Sequence, residues 1–351
     1  MLGKQLMLVG KTLEVGLSST PVLWQMASVC FAGDVAWTRN GYVVVEMPFD
    51  SKGFKGYVKG WSFVDIVKSL PENVDYTLDV DENKVVLRSS KSEMEFRKIG
   101  EEEPRIVGTG DFLNITNSIF PALKSVVDFT GEKEIIPALR GVCVDKFIVI
   151  ASDNIRIARV KLGDTIEASL LLPGSGVRSL ISISEGRQLD NVRLLKDVNL
   201  VGFYFNDGVV VFVSLLSLDY PELGHVFDDV SGEEWEFLEG FVECVRRVGF
   251  SQEGFDRIMK LQVKDRVLRV IGESGNVRYE EEFVGSGLSD KEFSVVVKEF
   301  LEIVERSSRI VFGNTGVLFF KDREGVITFA MLPVIEEETS QGGQDGGSGV
   351  N

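Results

Sequence analysis

The chain has 351 residues, 44% of them hydrophobic, and a formal net charge of −16. That length suits two or three domains, the apolar content excludes wholesale disorder, and the acidity, if evenly spread, opposes nucleic-acid binding, which needs Lys and Arg against phosphate. Cys30, Cys143 and Cys244 stand far apart with no CxxC pair, which excludes a zinc ribbon and a disulfide framework. Each cysteine lies in an apolar run and reads as a buried thiol in a reducing compartment. No apolar run reaches the ~18 residues of a membrane span, and Leu6-Met7-Leu8-Val9 is too short for a signal-peptide core. The expectation is a soluble, cytoplasmic protein with no membrane partner.

In chain order, residues 1 to 17 carry Leu2, Leu6, Val9, Leu13 and Leu17 at near-helical spacing, weakened by Gly10 and Gly16 and ended by Pro21. Trp24 to Phe49 alternates like a hairpin turning at Arg39-Asn40-Gly41. Ser62 is placed to cap a helix carrying Phe63, Ile66, Val67 and Leu70. Tyr76 to Leu87 reads as a hairpin around Asp81-Glu82-Asn83, and Met94 and Phe96 mark a further strand. After the charged segment Glu101 to Pro104 the pattern restarts. Asp111 to Phe129 reads as a helix that Pro121 kinks or splits. Leu139 to Val160 reads as two strands joined by a tight turn. Leu170-Leu171-Leu172-Pro173 leads into a helix through Val177, Leu180 and Ile181, and three strands follow, with Asn206-Asp207-Gly208 as a hairpin turn. A third round begins at Glu233, where Trp235, Leu238, Phe241, Val242, Val245 and Val248 form one helix face. Strands at 261–271 and 276–284, a helix from Lys291 to Ser307 and three short strands complete it. From Glu336 the chain is polar and Gly-rich and reads as a disordered tail.

Three stretches share one shape: Val29 to Thr38, Leu139 to Val160, and Leu261 to Val270. Copies at wide, regular spacing are a repeat signal. Each round is helix, strands, helix, strands, so a half-domain unit is used six times. Such alternation of helices with short antiparallel strands favours an α+β layer architecture.

These residues resemble the bacterial-type DNA polymerase sliding clamp, the β subunit of the replicative polymerase. Leu139-Arg140-Gly141-Val142 followed by Ala151-Ser152-Asp153-Asn154-Ile155-Arg156-Ile157-Ala158 is similar to the family's L-x-G-V … A-T-D-G-H-R-L-A. Ser217-Leu218-Asp219-Tyr220-Pro221-Glu222 is similar to its L-x-D-G-x-F-P-D-Y segment, and Met331-Leu332-Pro333-Val334 to its C-terminal M-P-M-R-L. Tyr57-Val58-Lys59-Gly60 with Leu70-Pro71-Glu72 also fits. The order and spacing carry the likeness, which is strongest over residues 135–335. The family's Gly and His after the Asp are Asn154 and Ile155 here, and Ser19-Thr20-Pro21-Val22-Leu23 replaces its Arg-Pro-Thr-Leu-Pro run, as in a divergent, phage-type member.

The resemblance implies three tandem DNA-clamp domains at 1–104, 105–230 and 231–335, with the tail at 336–351, closing into a ring as a head-to-tail homodimer. It implies a processivity factor that encircles duplex DNA without sequence specificity, is placed by a clamp loader and tethers DNA polymerase. The implied partner-peptide groove between domains two and three uses Leu139, Ser152, Asn154, Ile157, Pro221, His225, Val226, Leu332, Pro333 and Val334. His225, the only histidine, stands where the family usually has Arg and brings a group that titrates near neutral pH. The implied DNA-facing bases are Lys4, Lys11, Lys68, Lys124, Arg178, Arg246, Arg247 and Lys298, a weakly positive lining inside an acidic exterior. The implied dimer contacts are Met94, Phe96 and Phe250.

No enzyme, cofactor or metal is expected. Gly10-Lys11-Thr12 is no phosphate loop, because Gln5 stands where the first Gly belongs and no strand precedes it. Gly174-Ser175-Gly176 is not a nucleophile elbow, and one histidine leaves His-based triads little to work with. The rival readings are an acidic β-rich scaffold or DNA mimic that copies the clamp without encircling DNA and, more distantly, a carboxylate-dependent nuclease.

Overall fold

The structure is a computed structural model. It describes residues 1–105, 110–131, 135–163, 165–228, 230–251, 257–274, 277–284, 287–323 and 327–334. The 336–351 tail lies outside the described residues. The chain divides into two compact units, Met1–Leu223 and Gly224–Asn351.

The first unit holds helices α1 (Gly3–Glu14), α2 (Gly60–Lys68), α3 (Ile119–Val126) and α4 (Gly174–Ser184). Its helices pack in sequential pairs, α1 on α2 and α3 on α4. Gly10 lies at the first crossing, where a Cβ would stand 2.6 Å from Val67 Cγ2, so the glycine that weakens the helix locally is what lets the two helices approach. An eight-stranded antiparallel sheet runs Lys55–Lys59, Ser28–Ala32, Val35–Arg39, Val43–Pro48, Val210–Ser214, Leu200–Phe205, Leu189–Leu195 and Asp111–Leu113. Strands distant in sequence are thus joined where Val45 faces Val211, 166 positions on. A three-stranded sheet holds Thr77–Val80, Lys84–Arg88 and Glu93–Arg97. Four further strands pair in the order Leu170–Pro173, Gly141–Asp145, Ile148–Ser152 and Arg156–Lys161.

The second unit repeats the plan with α5 (Phe241–Ser251) packed on α6 (Val297–Val304). Strands Val277–Val284, Val267–Ser274, Ile258–Lys264 and Lys291–Val296 form one sheet. Gly232–Glu236, Arg309–Gly313, Leu318–Lys321 and Ile327–Met331 pair in that order. Its core is aromatic, with Phe241 edge-on to Trp235 at 4.8 Å and Phe300 edge-on to Phe320 at 5.6 Å.

The three repeated stretches have identical register. Cys30 pairs with Trp37 and with Tyr57. Cys143 pairs with Ile150 and with Leu171, and Gln262 pairs with Arg269 and with Glu292. The first two rows are apolar. The third is polar and internally paired, with Gln262 Nε2 donating to Glu292 at 2.8 Å and Arg269 Nε to Glu282 at 2.8 Å.

Several element boundaries differ from expectation. Val29 to Phe49 and Leu139 to Val160 each make three strands, because Gly33-Asp34 and Asp145-Lys146 turn the chain as well as the second breaks do. Trp235 lies in a strand, and so does Phe293; both helices begin later, at Phe241 and Val297. Ser62 sits inside α2, which begins at Gly60 with no side-chain cap. Asp111 opens as a strand, Pro121 falls in the first turn of α3, where its missing N–H breaks no intrahelical bond, and a separate 3₁₀ turn, Val127–Phe129, follows.

Candidate functional site

The implied partner site starts from the turn at Ser152 to Arg156. Asp153 Oδ1 accepts from the Arg156 backbone N–H at 2.8 Å, and its Oδ2 accepts from Arg156 Nε and Nη2 at 2.8 and 2.6 Å. The pair is buried, and the Arg156 guanidinium lies 5.0 Å over the Phe129 ring. This charge-assisted fork locks the turn and holds Asn154 at φ +71°. Ser152 Oγ accepts from the Asn154 N–H at 3.2 Å. Asn is one of the few non-Gly residues that tolerate this region.

Beside the turn lies an apolar floor. Ala138, Cys143, Ile150 and Leu171 are buried, and Ile157, Leu216, Tyr220 and Leu223 pack on them partly exposed. In a strand with one buried face the alternate positions are normally polar; here both faces are apolar, which marks a second contact surface. The Leu216 N–H donates to Leu171 O at 2.9 Å, which ties the segment to the sheet edge, and within the segment the Leu223 N–H donates to Pro221 O at 2.8 Å. Burial pushes the Cys143 thiol up to about 11. Burial also raises the Tyr220 phenol, with Cys143 adding to the effect and the Ser152 backbone opposing it. The Tyr220 hydroxyl makes no hydrogen bond of ordinary geometry among the described residues.

Of the implied groove residues in the first unit, Ile157 belongs to this floor and Ser152 and Asn154 to the turn beside it. Leu139 is fully buried in a 3₁₀ turn outside the cluster, and Pro221 is half-buried in the covering segment. In the second unit, His225 is exposed and Val226 half-buried in a 3₁₀ turn anchored by Phe227, whose ring lies 6.4 Å from Phe319. Leu332 is 52% exposed, Pro333 is half-buried, and the Val334 N–H donates to Ser294 O at 2.7 Å. Sequence reasoning passed over Ile150, Leu171, Tyr220 and the Asp153–Arg156 fork. The apolar alternate positions 143, 150 and 157 were the available signal.

The helices carry the second set of candidates. Within α1 to α6 stand eight Lys and Arg against five Asp and Glu, a surplus of three positive charges. With −16 for the whole chain, the remainder carries −19. Lys4, Lys11 and Lys298 are exposed and without an acidic partner among the described residues. Lys124 is exposed, 3.7 Å from Glu185. Lys68 pairs with Glu14 at 2.6 Å, Arg246 with Glu305 at 2.7 Å and Arg247 with Glu281 at 2.6 Å. Arg178 is half-buried and donates to Val127 O at 3.3 Å. Among the described residues no three His, Cys, Asp or Glu side chains gather as a metal site, and no helix is long and apolar enough to cross a membrane.

No family model matches the chain, and no curated protein matches it in sequence. Solved structures match it along its length. The griselimycin-bound DnaN sliding clamp of Pseudomonas aeruginosa superposes with a TM-score of 0.81 at 13% identity, covering 96% of this chain and 98% of that one. The sliding clamp of Caulobacter crescentus gives 0.79 at 14%, covering 96% and 99%. The Helicobacter pylori β clamp bound to a DNA ligase peptide gives 0.77 at 15%, covering 95% and 99%. This is the sliding-clamp fold.

In that fold the ends of the chain's sheets matter, because an unpaired strand edge is a template for pairing. Among the described residues, Glu93–Arg97 pairs on one side only, with Lys84–Arg88, and Val277–Val284 only with Val267–Ser274. Met94 is half-buried on the first of these edges. Phe96 is 5% exposed, its ring edge-on to Phe63 at 5.0 Å, which makes it part of the clamp-fold core beneath α2. Phe250 lies in α5, and its side chain is outside the described residues.

Proposed function

We propose that the chain is a non-enzymatic DNA polymerase processivity factor, a sliding clamp that encircles duplex DNA as a head-to-tail homodimer. The observation that carries this reading is the correspondence to clamp structures over 95–96% of the chain, and the charge segregation into the helices supports it. A slider needs phosphate contacts that hold no sequence information. The domains run 1–104, 105–230 and 231–335. Within the first unit, Val43–Pro48 of one domain pairs with Val210–Ser214 of the next. The equivalent edges left over are Glu93–Arg97 and Val277–Val284, and pairing them between subunits closes the ring, with Met94 and Phe250 as the apolar contacts there. A heterologous contact of this kind yields a closed ring when its rotation closes.

Partner peptides from a polymerase and a loader dock on the first unit's floor of Ile150, Ile157 and Tyr220; on the second unit, His225, Val226, Leu332, Pro333 and Val334 are the residues that the resemblance implies for partner contact. The test is retention on nicked circular DNA. The loaded protein stays on the circle and leaves within minutes when the circle is cut, and its native mass is twice that of the chain. A monomer that never resists removal from circles is instead the acidic mimic, the reading that the −19 outside the helices favours.

A further inference from the structure

The first copy of the repeat has an apolar floor of its own, and the chain covers it with its own next segment. Cys30, Trp37 and Tyr57 hold the register positions that Cys143, Ile150 and Leu171 hold in the second copy. Trp24 extends this floor, edge-on to Tyr57 at 5.1 Å. Residues 99–105 cross it. The Ile99 N–H donates to Tyr57 O at 2.8 Å and the Tyr57 N–H to Gly100 O at 2.9 Å. Gly100 seats the strap on Trp24: a Cβ there would stand 2.3 Å from the indole.

Beyond Gly100 the pins are ionic. Glu102 pairs with Lys55 at 3.4 Å, Glu103 with Arg39 at 3.1 Å, and Arg105 with Glu46 at 3.0 Å. Gln25 Nε2 also donates to Glu103 at 3.2 Å. The Glu102–Lys55 and Glu103–Arg39 pairs are partly exposed, weak and screened by salt, whereas Glu46 beneath Arg105 is buried. Under the strap, polar atoms go unmet. Trp37 Nε1, Arg39 Nε, Glu46 Oε1, Gln25 Oε1 and the Tyr57 hydroxyl are buried with no hydrogen bond of ordinary geometry among the described residues. Trp37 and Glu46 are each only 4% exposed. Buried polar groups are normally hydrogen-bonded, and the strap meets these atoms with no hydrogen bond of ordinary geometry.

We propose that residues 99–105 are a releasable strap over a second docking floor centred on Trp37 and Tyr57, whose partner is an acidic peptide with an apolar anchor. The chemistry follows from the floor and its pins: with the strap lifted, Arg39, Lys55 and Lys98 rim an aromatic floor that takes an apolar anchor, and the strap's own Glu102 and Glu103 show the matching charge. The proposal rests on contacts within the first unit, independent of any loading on DNA.

The probe is a synthetic peptide of residues 98–105 added to the full chain. Against a Glu102→Gln/Glu103→Gln variant that keeps the parent's circular dichroism, the peptide binds at least about tenfold more tightly than against the parent, and Trp37→Ala in that variant abolishes the gain. In the unmodified protein, raising salt from about 0.05 to about 1 M speeds hydrogen exchange at the Tyr57 amide severalfold. Its acceptor is the strap's Gly100 carbonyl, whereas the Leu216 amide on the second floor is unchanged. Equal peptide binding to variant and parent, or a Tyr57 amide indifferent to salt, overturns the strap.

Discussion

Asn154 adopts a left-handed backbone, and the Asp153–Arg156 fork holds it there. Replacement by Ala places a Cβ in that region without the Asn side chain's local hydrogen-bonding, at a cost of about 1 kcal/mol, while Gly is near-neutral. Urea unfolding of Asn154→Ala and Asn154→Gly checks the order. Leu332 is more than half exposed on the second unit, which is what a contact residue for a partner requires and a core residue does not. A charge there opposes an apolar anchor: Leu332→Asp weakens a clamp-binding peptide by at least about tenfold, in the range of a hot-spot loss, with unfolding unchanged. Fluorescence polarisation measures the first and thermal unfolding the second. Asp153 and Arg156 are visible in the sequence as ordinary charges. That they face each other, buried, over Phe129 follows only once the turn closes.

At the scale of elements, the boundaries were hardest to read where apolar residues run on through a change of structure. Phe293, Val296, Val297 and Phe300 fit a helical face, yet the first two belong to a strand paired with Ile258–Lys264. Cross-strand partners decide this, and periodicity over so short a run does not separate strand from helix. Pro121 shows the converse: its place in the first turn of α3 makes it harmless. Pro121→Ala therefore shifts stability by no more than about 0.5 kcal/mol, the range for substitutions that break no named interaction.

Glu233, on the strand Gly232–Glu236, accepts from Lys291 Nζ, from Ser289 Oγ at 2.8 Å and from the Ser289 N–H. Lys291 foremost, then Ser289, lowers its carboxyl from 4.5 to about 2. A depressed acid contributes stability above its unfolded value and loses it as pH falls through its folded value. The contribution is therefore whole above about 4.5 and gone below about 2. Glu233→Gln flattens that part of the acid-unfolding profile and leaves the slope above pH 6 unaltered. Burial pushes the Glu46 carboxyl the opposite way, so its contribution grows as pH falls.

For the whole molecule, an acidic chain still presents bases along its helices, and net charge alone would have argued against DNA. Lys4, Lys11 and Lys298, unpaired among the described residues, are the bases most free to meet phosphate. Reversing all three to Glu shortens residence on nicked circles severalfold at low salt, and the difference narrows as salt rises. Gel filtration of the loaded complexes reads this out, while the variant's native mass stays that of the parent.

The sequence by itself determined the repeat, because a period-two alternation interrupted by short polar turns is a local signal that survives divergence: Cys30, Cys143 and Gln262 stand at one register position in both sequence and structure. The helix charge needed the structure as well, because the surplus appears only once Glu233, Glu234, Glu236 and Glu292 are assigned to strands and not to helices. Tertiary structure alone decided that Val43–Pro48 joins Val210–Ser214, that Ile150 and Tyr220 share a floor, and that residues 99–105 pair with Tyr57 and Arg39. These contacts join segments far apart in the chain. Their register comes from strand edges finding partners, and no local pattern specifies which edges will meet.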